Sequence, residues 1–250
     1  AGRLAAALRK KGVKEDVIVA IMTERSVEMV TAMLAVLKAG GAFLLISPAY
    51  AEEKKKFMLR DSGAVVVIAG DDETFDLNGE EDTGLERYEG PRPGQMAYLI
   101  YSGSGATAAK PAGIIIDHSS LVNFIYAVYY HYNGNFSTKD RCLSLSGTSW
   151  DIVFCEIFLP LCFGASVVFF PMEAGLLPDL EKLSRTIAEE AVTFAFIPPV
   201  LLDGLAAQLG QYGSLIVLDK LLVGGAPVEH PVLETFRELR SRVWKQLLQV

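Results

Sequence analysis

Short apolar runs of strand length alternate with amphipathic runs of helix length along almost the whole chain, and this alternation restricts the fold more than any other feature. Residues 17–22 read as a strand. Residues 26–38 read as a helix, with Met29, Val30, Met33, Leu34 and Leu37 on one face and Gly40 stopping it. Residues 42–46 and 64–69 read as strands around a helix at 51–61. Strands at 97–101 and 113–116, a helix at 119–131 and a strand at 143–145 follow. A helix at 152–162, a strand at 165–170 and a helix at 178–190 continue the order, and the runs 192–197, 199–209, 215–223 and 228–240 extend it. The pattern predicts an α/β fold of layered, largely parallel sheets with helices on both faces. It divides into a first half at 1–92 and a second at 94–250. Residues 70–93, rich in Asp and Glu, read as an acidic linker.

One junction carries chemistry. The apolar run Met96-Ala97-Tyr98-Leu99-Ile100-Tyr101 gives way to Ser102, Gly103, Ser104, Gly105, Ala106, Thr107, Ala108 and Ala109. Lys110, Pro111, Ala112 and Gly113 then lead into a second apolar run. Glycines let backbone approach a ligand closely, the hydroxyls of Ser102, Ser104 and Thr107 can bond oxygens, and Lys110 adds a cation. These are the materials of a phosphate-holding loop. An ordinary surface loop fits the composition equally well, because neither Gly-x-x-x-x-Gly-Lys-Ser/Thr nor Gly-x-Gly-x-x-Gly occurs. In a largely parallel sheet, a loop at the carboxyl end of a strand is where ligands sit.

Composition excludes several classes. Hydrophobic residues make up 51% of the chain, which suits strands buried on both faces. The net charge is −7 and no basic cluster suggests nucleic acid. Lys54-Lys55-Lys56 follows Glu52-Glu53 and reads as a solvated helix face. Cys142, Cys155 and Cys162 have neither Cys-x-x-Cys nor zinc spacing, so they read as buried free thiols of a reducing, cytoplasmic protein. His118, His131 and His230 are scattered and suggest no metal. The most apolar stretch, 152–172, contains Glu156, Pro160 and Gly164, and reads as a helix followed by a strand rather than a membrane span.

Several blocks resemble, in order, the amino-acid adenylation domains of nonribosomal peptide synthetases, within the adenylate-forming enzymes. Leu37-Lys38-Ala39-Gly40-Gly41-Ala42-Phe43 with Ser47-Pro48 is similar to the family's Leu-Lys-Ala-Gly-Gly-Ala-Tyr…Asp-Pro. Residues 101–114 resemble its phosphate loop, Tyr-Thr-Ser-Gly-Thr-Thr-Gly-x-Pro-Lys-Gly-Val. Asp117-His118 with Leu121-Val122-Asn123 resembles a helix start. Ser149-Trp150-Asp151 with Glu156-Ile157-Phe158 resembles its Phe-Asp…Trp-Glu-Ile-Phe. Ile197-Pro198-Pro199 and Leu222-Val223-Gly224-Gly225-Ala226 match two further segments.

The resemblance implies an ATP-dependent ligase that joins a carboxylate to the α-phosphate of ATP with Mg2+ and passes the acyl group to a carrier-protein thiol. It implies that Asp151 pairs with the substrate's α-ammonium group. The same residue type at that place also suits a helix N-cap. Ile152, Cys155, Phe196, Leu222 and Gly224 would line the side-chain pocket, although their periodicity suits core residues as well. All are apolar or small, so the expected substrate is an amino acid with an uncharged, apolar side chain. Ser102, Gly103, Ser104, Gly105, Thr107 and Lys110 would hold phosphates, and Gly225 and Ala226 would meet the adenine. His118 and Glu156 are expected to be structural. No catalytic side chain or protein metal ligand is implied. The partners implied are the amino acid, the rest of an adenylation domain, and carrier and condensation domains, with no nucleic acid and no membrane.

The chain departs from the family in two ways. The phosphate loop carries two more residues than usual, and Ala112 stands where a lysine is expected. Losing that cation removes a charge-assisted contact worth about 1.5–3 kcal/mol, which weighs against ATP binding as the family does it. The matched blocks cover the first and middle portions of the large lobe. The family's Tyr-Gly-Pro-Thr-Glu segment and mobile C-terminal lobe are not among them. The chain by itself is therefore expected to be inactive, and a non-catalytic binding or structural module is the alternative reading.

Overall fold

The structure is a computed structural model and describes residues 1–70, 90–102, 111–171, 177–227 and 246–249. The expected helix at 228–240, most of the acidic linker and residues 103–110 lie outside the described residues. Two compact units are present: residues 1–123 with 148–151, and residues 124–147 with 152–250.

The first unit carries α1 (Gly2–Lys10), β1 (Ile18–Met22), α2 (Val27–Ala39), β2 (Ala42–Leu45), α3 (Glu52–Ser62), β3 (Val66–Ala69), β4 (Met96–Ser102) and β5 (Ala112–Asp117). Its sheet runs β3-β1-β2-β4-β5. Neighbours from β3 to β4 are parallel, and β5 returns antiparallel on β4. Local chemistry sets α2. Ser26 accepts the Met29 amide at 3.3 Å, and Gly40 ends the helix at φ 92°. Gly41 follows because a Cβ there would lie 2.7 Å from Val13 Cγ1 and 2.8 Å from the Val17 carbonyl oxygen. The buried face of α2 is Met29, Ala32, Met33, Ala35, Val36 and Ala39. Val30, Leu34 and Leu37 are only partly buried, because the alanines let the helix lie close to its neighbours and shift the packed stripe.

β4 and β5 hydrogen-bond into the first sheet, although the sequence reading grouped residues 94 onward with the second half. Leu99 and Tyr101 of β4 pack with Ala20, Leu44 and Met58 in one core. Burial of these side chains draws the strand to this sheet.

The second unit holds the end of α4 (His118–His131), then β6 (Arg141–Ser144), α5 (Ile152–Cys162), β7 (Ser166–Phe169), α6 (Leu180–Glu189), β8 (Phe194–Ile197), α7 (Pro199–Leu209), β9 (Lys220–Val223) and β10 (Gln246–Gln249). Its sheet runs β10-β9-β8-β6-β7, and every pairing is parallel. Leu143, Val168, Ala195, Ile197, Leu221 and Val223 face α6 and α7 in one core. Alternation turns Cys142, Ser144, Phe194, Phe196, Lys220 and Leu222 to the other face. Phe194 there meets the rings of Tyr132 and Phe136.

The run 215–223, read as one strand, is a strand only over Lys220–Val223. A 3-10 turn occupies Gly213–Leu215. Ile216 and Leu218 are buried in the core, but the ladder is joined only where the Asp219 and Lys220 amides donate to the Thr193 carbonyl. Leu215 and Val217 of the same run are exposed, so apolar character there marks neither pairing nor burial throughout. Cys142 and Cys155 are buried as expected, whereas Cys162 is exposed; all three are free thiols. Among the described residues no helix is long and apolar enough to cross a membrane.

Candidate functional site

In the second unit the end of β6 is tied to α5 by a buried carboxylate. Glu156 accepts the Leu145 amide at 3.0 Å, the Ser146 amide at 3.0 Å and the Ser146 hydroxyl at 2.6 Å. The side chain is wholly buried. Its donors replace the water that a buried carboxylate requires. Glu156 is thus structural, as expected from sequence.

Asp151 directly precedes α5 and is exposed. It acts electrostatically on Tyr98 of β4, in the first unit. Burial raises the Tyr98 phenol well above its ordinary pKa, and the Asp151 carboxylate raises it further. Tyr98 also stacks on Phe43, with ring centroids 5.7 Å apart and planes 20° apart. No donor among the described residues bonds the Asp151 carboxylate, so it is not consumed in capping α5.

Of the expected pocket residues, the second unit brings four to one region. Phe196 and Leu222 are register partners on adjacent parallel strands, on the face turned away from α6 and α7. Ile152 and Cys155 lie on α5, which packs against β6, β7 and β8. Cys155 and Leu222 have no exposed surface, and Ile152 and Phe196 have almost none. Gly224 follows β9 and is buried. The placement is therefore compatible with both a lining and a core role.

For the nucleotide residues, Ser102 ends β4, while Gly103, Ser104, Gly105, Thr107 and Lys110 lie outside the described residues. The strands that flank them form an antiparallel pair, with Ser102 opposite Ala112. Gly225 and Ala226 are exposed just after β9, and Gly225 takes φ 87°, which favours glycine. Among the described residues no group of three or more His, Cys, Asp or Glu could hold a metal ion.

His118 opens α4. Burial lowers its pKa, and the neighbouring Asp117 carboxylate opposes this. Asp117 itself accepts the Ser120 amide at 2.7 Å and the Ser119 hydroxyl at 2.8 Å, which hold its carboxyl below the ordinary range. Asp117 is therefore the capping acid of the helix start, a role the sequence reading did not assign.

Sequence reasoning also passed over Ser144. Its hydroxyl is buried and lacks a hydrogen-bond partner, as does that of Thr23 in the first unit. The available signal was a serine inside the buried run 142–145.

A family profile described as AMP-binding enzyme matches residues 1–250. Tyrocidine synthase 2 of Brevibacillus parabrevis is 34% identical over 211 residues, which is 80% of this chain and 6% of that protein. Bacitracin synthase 3 of Bacillus licheniformis is 39% identical over 196 residues, 74% of this chain and 3% of that protein. The chain thus spans only a small share of the curated relatives it matches. The crystal structure of the nonribosomal peptide synthetase FmoA3 superposes with a TM-score of 0.81 at 25% identity, covering 95% of this chain and 26% of that one. The N-terminal subdomain of Klebsiella oxytoca NpsA, in complex with 3-hydroxyanthranilyl-AMSN, has the same fold, with a TM-score of 0.81 at 24% identity. That match covers 99% of this chain and 62% of NpsA's.

Proposed function

Because the chain belongs to the AMP-binding enzyme family, we propose that it forms the amino-acid-binding part of an adenylation domain in a nonribosomal peptide synthetase. The observation that carries the amino-acid reading is Asp151: an exposed carboxylate at the start of α5 that no described donor engages. An α-ammonium group is a fitting partner for it. Ile152, Cys155, Phe196, Leu222 and Gly224 would surround the side chain, which suits an uncharged, largely apolar amino acid.

In the family reaction an oxygen of the amino-acid carboxylate bonds to the α-phosphorus of ATP. The bond from that phosphorus to the bridging oxygen breaks, and pyrophosphate leaves. This chain's part in it is binding and orientation. Ser102, Gly103, Ser104, Gly105, Thr107 and Lys110 would hold the phosphates, with Mg2+ arriving on the nucleotide. Gly225, at φ 87°, would let a planar base lie against the backbone, with Ala226 beside it. The rest of the adenylation domain, a carrier protein and a condensation domain are the partners this reading brings.

A second reading, a binding module without turnover, is favoured by one feature. Ala112 is exposed in β5, where the resembling family carries a lysine. Amino-acid-dependent exchange of pyrophosphate into ATP by the full natural protein that contains residues 1–250 separates the two. Exchange with an uncharged amino acid supports adenylation, and nucleotide or amino-acid binding without exchange supports the module.

A further inference from the structure

We propose that Ser144 supplies a polar contact inside the side-chain pocket, so that the preferred amino acid carries a neutral hydrogen-bonding group on an otherwise apolar side chain. This rests on the amino-acid-binding role proposed above and narrows it.

The second unit alone carries the argument. Cys142 of β6 is in register with Phe194 of β8, and Phe196 is in register with Leu222 of β9. Two residues further along, Ser144 therefore falls in the same cross-strand row as Phe196 and Leu222. All three turn to the face away from the core built on Leu143, Ala195 and Leu221. The row lies at the carboxyl ends of parallel strands, where such sheets bind ligands. Glu156 fixes the chain directly after Ser144 by bonding the Leu145 and Ser146 amides. The strand end that aims Ser144 is thus held.

The Ser144 side chain is wholly buried and its hydroxyl has no hydrogen-bond partner. Buried hydroxyls are rarely left unmet, because stripping water from one without replacement is unfavourable. An alanine of nearly the same shape would avoid that penalty. The hydroxyl is explained if a bound side chain completes it. A charged group would find no counter-charge in a row formed with Phe196 and Leu222. A hydroxyl or carboxamide would gain a partner and keep an apolar sleeve.

The test uses the full natural protein and pyrophosphate exchange with shape-matched pairs: threonine against valine, tyrosine against phenylalanine, and glutamine against methionine. The wild type is expected to prefer the polar member of the pair whose length fits, by about tenfold in kcat/KM. Ser144→Ala should erase that preference while leaving use of the apolar member intact. Thermal unfolding of the amino-acid-free variant should hold or rise, since the hydroxyl has no protein bond to lose. Ser144→Cys, a weak donor of similar size, should give an intermediate ratio and serves if the alanine variant folds poorly. An unchanged ratio in both variants overturns the proposal while leaving adenylation standing. A wild type that prefers the apolar member of every pair does the same. No exchange with any amino acid overturns the adenylation reading, and this proposal with it.

Discussion

The Ser146 hydroxyl donates to Glu156 Oε1 at 2.6 Å, and the Leu145 and Ser146 amides donate to the same carboxylate. A buried charge thereby joins the end of β6 to the first turns of α5. Glu156→Gln keeps the shape but replaces one accepting oxygen with a donor. Bonds to charged groups are worth about 1.5–3 kcal/mol, so the variant should lose roughly 2 kcal/mol of stability in urea unfolding. An unchanged midpoint would show that these bonds contribute nothing.

Lys220 holds a second buried charge. Its Nζ lies 2.7 Å from Asp140 Oδ1 and 3.1 Å from Asp219 Oδ1, and Thr193 Oγ1 donates to Asp140 at 2.8 Å. Burial pushes the Asp140 pKa up, but the bonds from Lys220, Thr193 and the Ser137 amide outweigh it. The net shift is below the ordinary 3.8. The sign follows from linkage. A depressed folded value gives stability that is full above the unfolded value and lost as the pH falls through the folded one. Asp140→Asn should flatten that acid-side loss below about pH 4. At neutral pH it should cost roughly 3 kcal/mol, the low end for a broken buried pair, because Asp219 still faces Lys220. Urea unfolding at several pH values reads both effects.

Tyr132 is wholly buried and its hydroxyl donates to the Leu221 carbonyl at 2.9 Å. The contact pins the segment after α4 to β9, the strand that carries Leu222. Tyr132→Phe keeps the ring contacts with Phe136 and Phe194 and removes this bond. A loss of about 1 kcal/mol is expected. In a protein of this size that is a fall of roughly 2–4 °C in Tm by calorimetry. A drop several times larger would mean that the ring itself is displaced.

Much of this architecture was legible because its causes are local. The Ser26 cap and the Gly40 stop bracket α2 in sequence as they do in space. The uninterrupted run Ala42–Leu45 announces a strand buried on both faces, and all four of its residues are buried. What escaped depends on partners distant in sequence. β4 joins β2 across more than fifty residues, and nothing within 96–102 names that partner. In the apolar run 215–223, Ile216 and Leu218 are buried while Leu215 and Val217 are exposed, and apolar character alone tells neither which side chains enter the core nor which amides enter a ladder.

The same division governs the site. Asp151 and Leu222 were expected at the site because each sits in a contiguous block resembling a known pattern, and Phe196 because it directly precedes one. Ser144 sits in no such block, and only strand register puts it beside Phe196. Lys220 lies inside the run 215–223, and nothing local in that run marks its ammonium group as buried. Its burial follows from Asp140, eighty positions earlier.

The last prediction concerns Asp151. Its carboxylate is exposed, no described donor bonds it, and in the first unit it lies near enough to Tyr98 to disfavour ionisation of the phenol. If it pairs with an α-ammonium group, removing its charge should hurt only substrates that bear one. Asp151→Asn in the full natural protein should lower kcat/KM for the preferred amino acid by the worth of a charged hydrogen bond. That is about 1.5–3 kcal/mol, or roughly ten- to hundredfold. The matching carboxylic acid without the amino group should be used as well as by the wild type. Thermal stability should be unchanged, because no described partner is lost. Equal loss for both substrates would mean that Asp151 shapes the site rather than binding the amine. A fall in stability with no change in discrimination would make it a helix-start residue only.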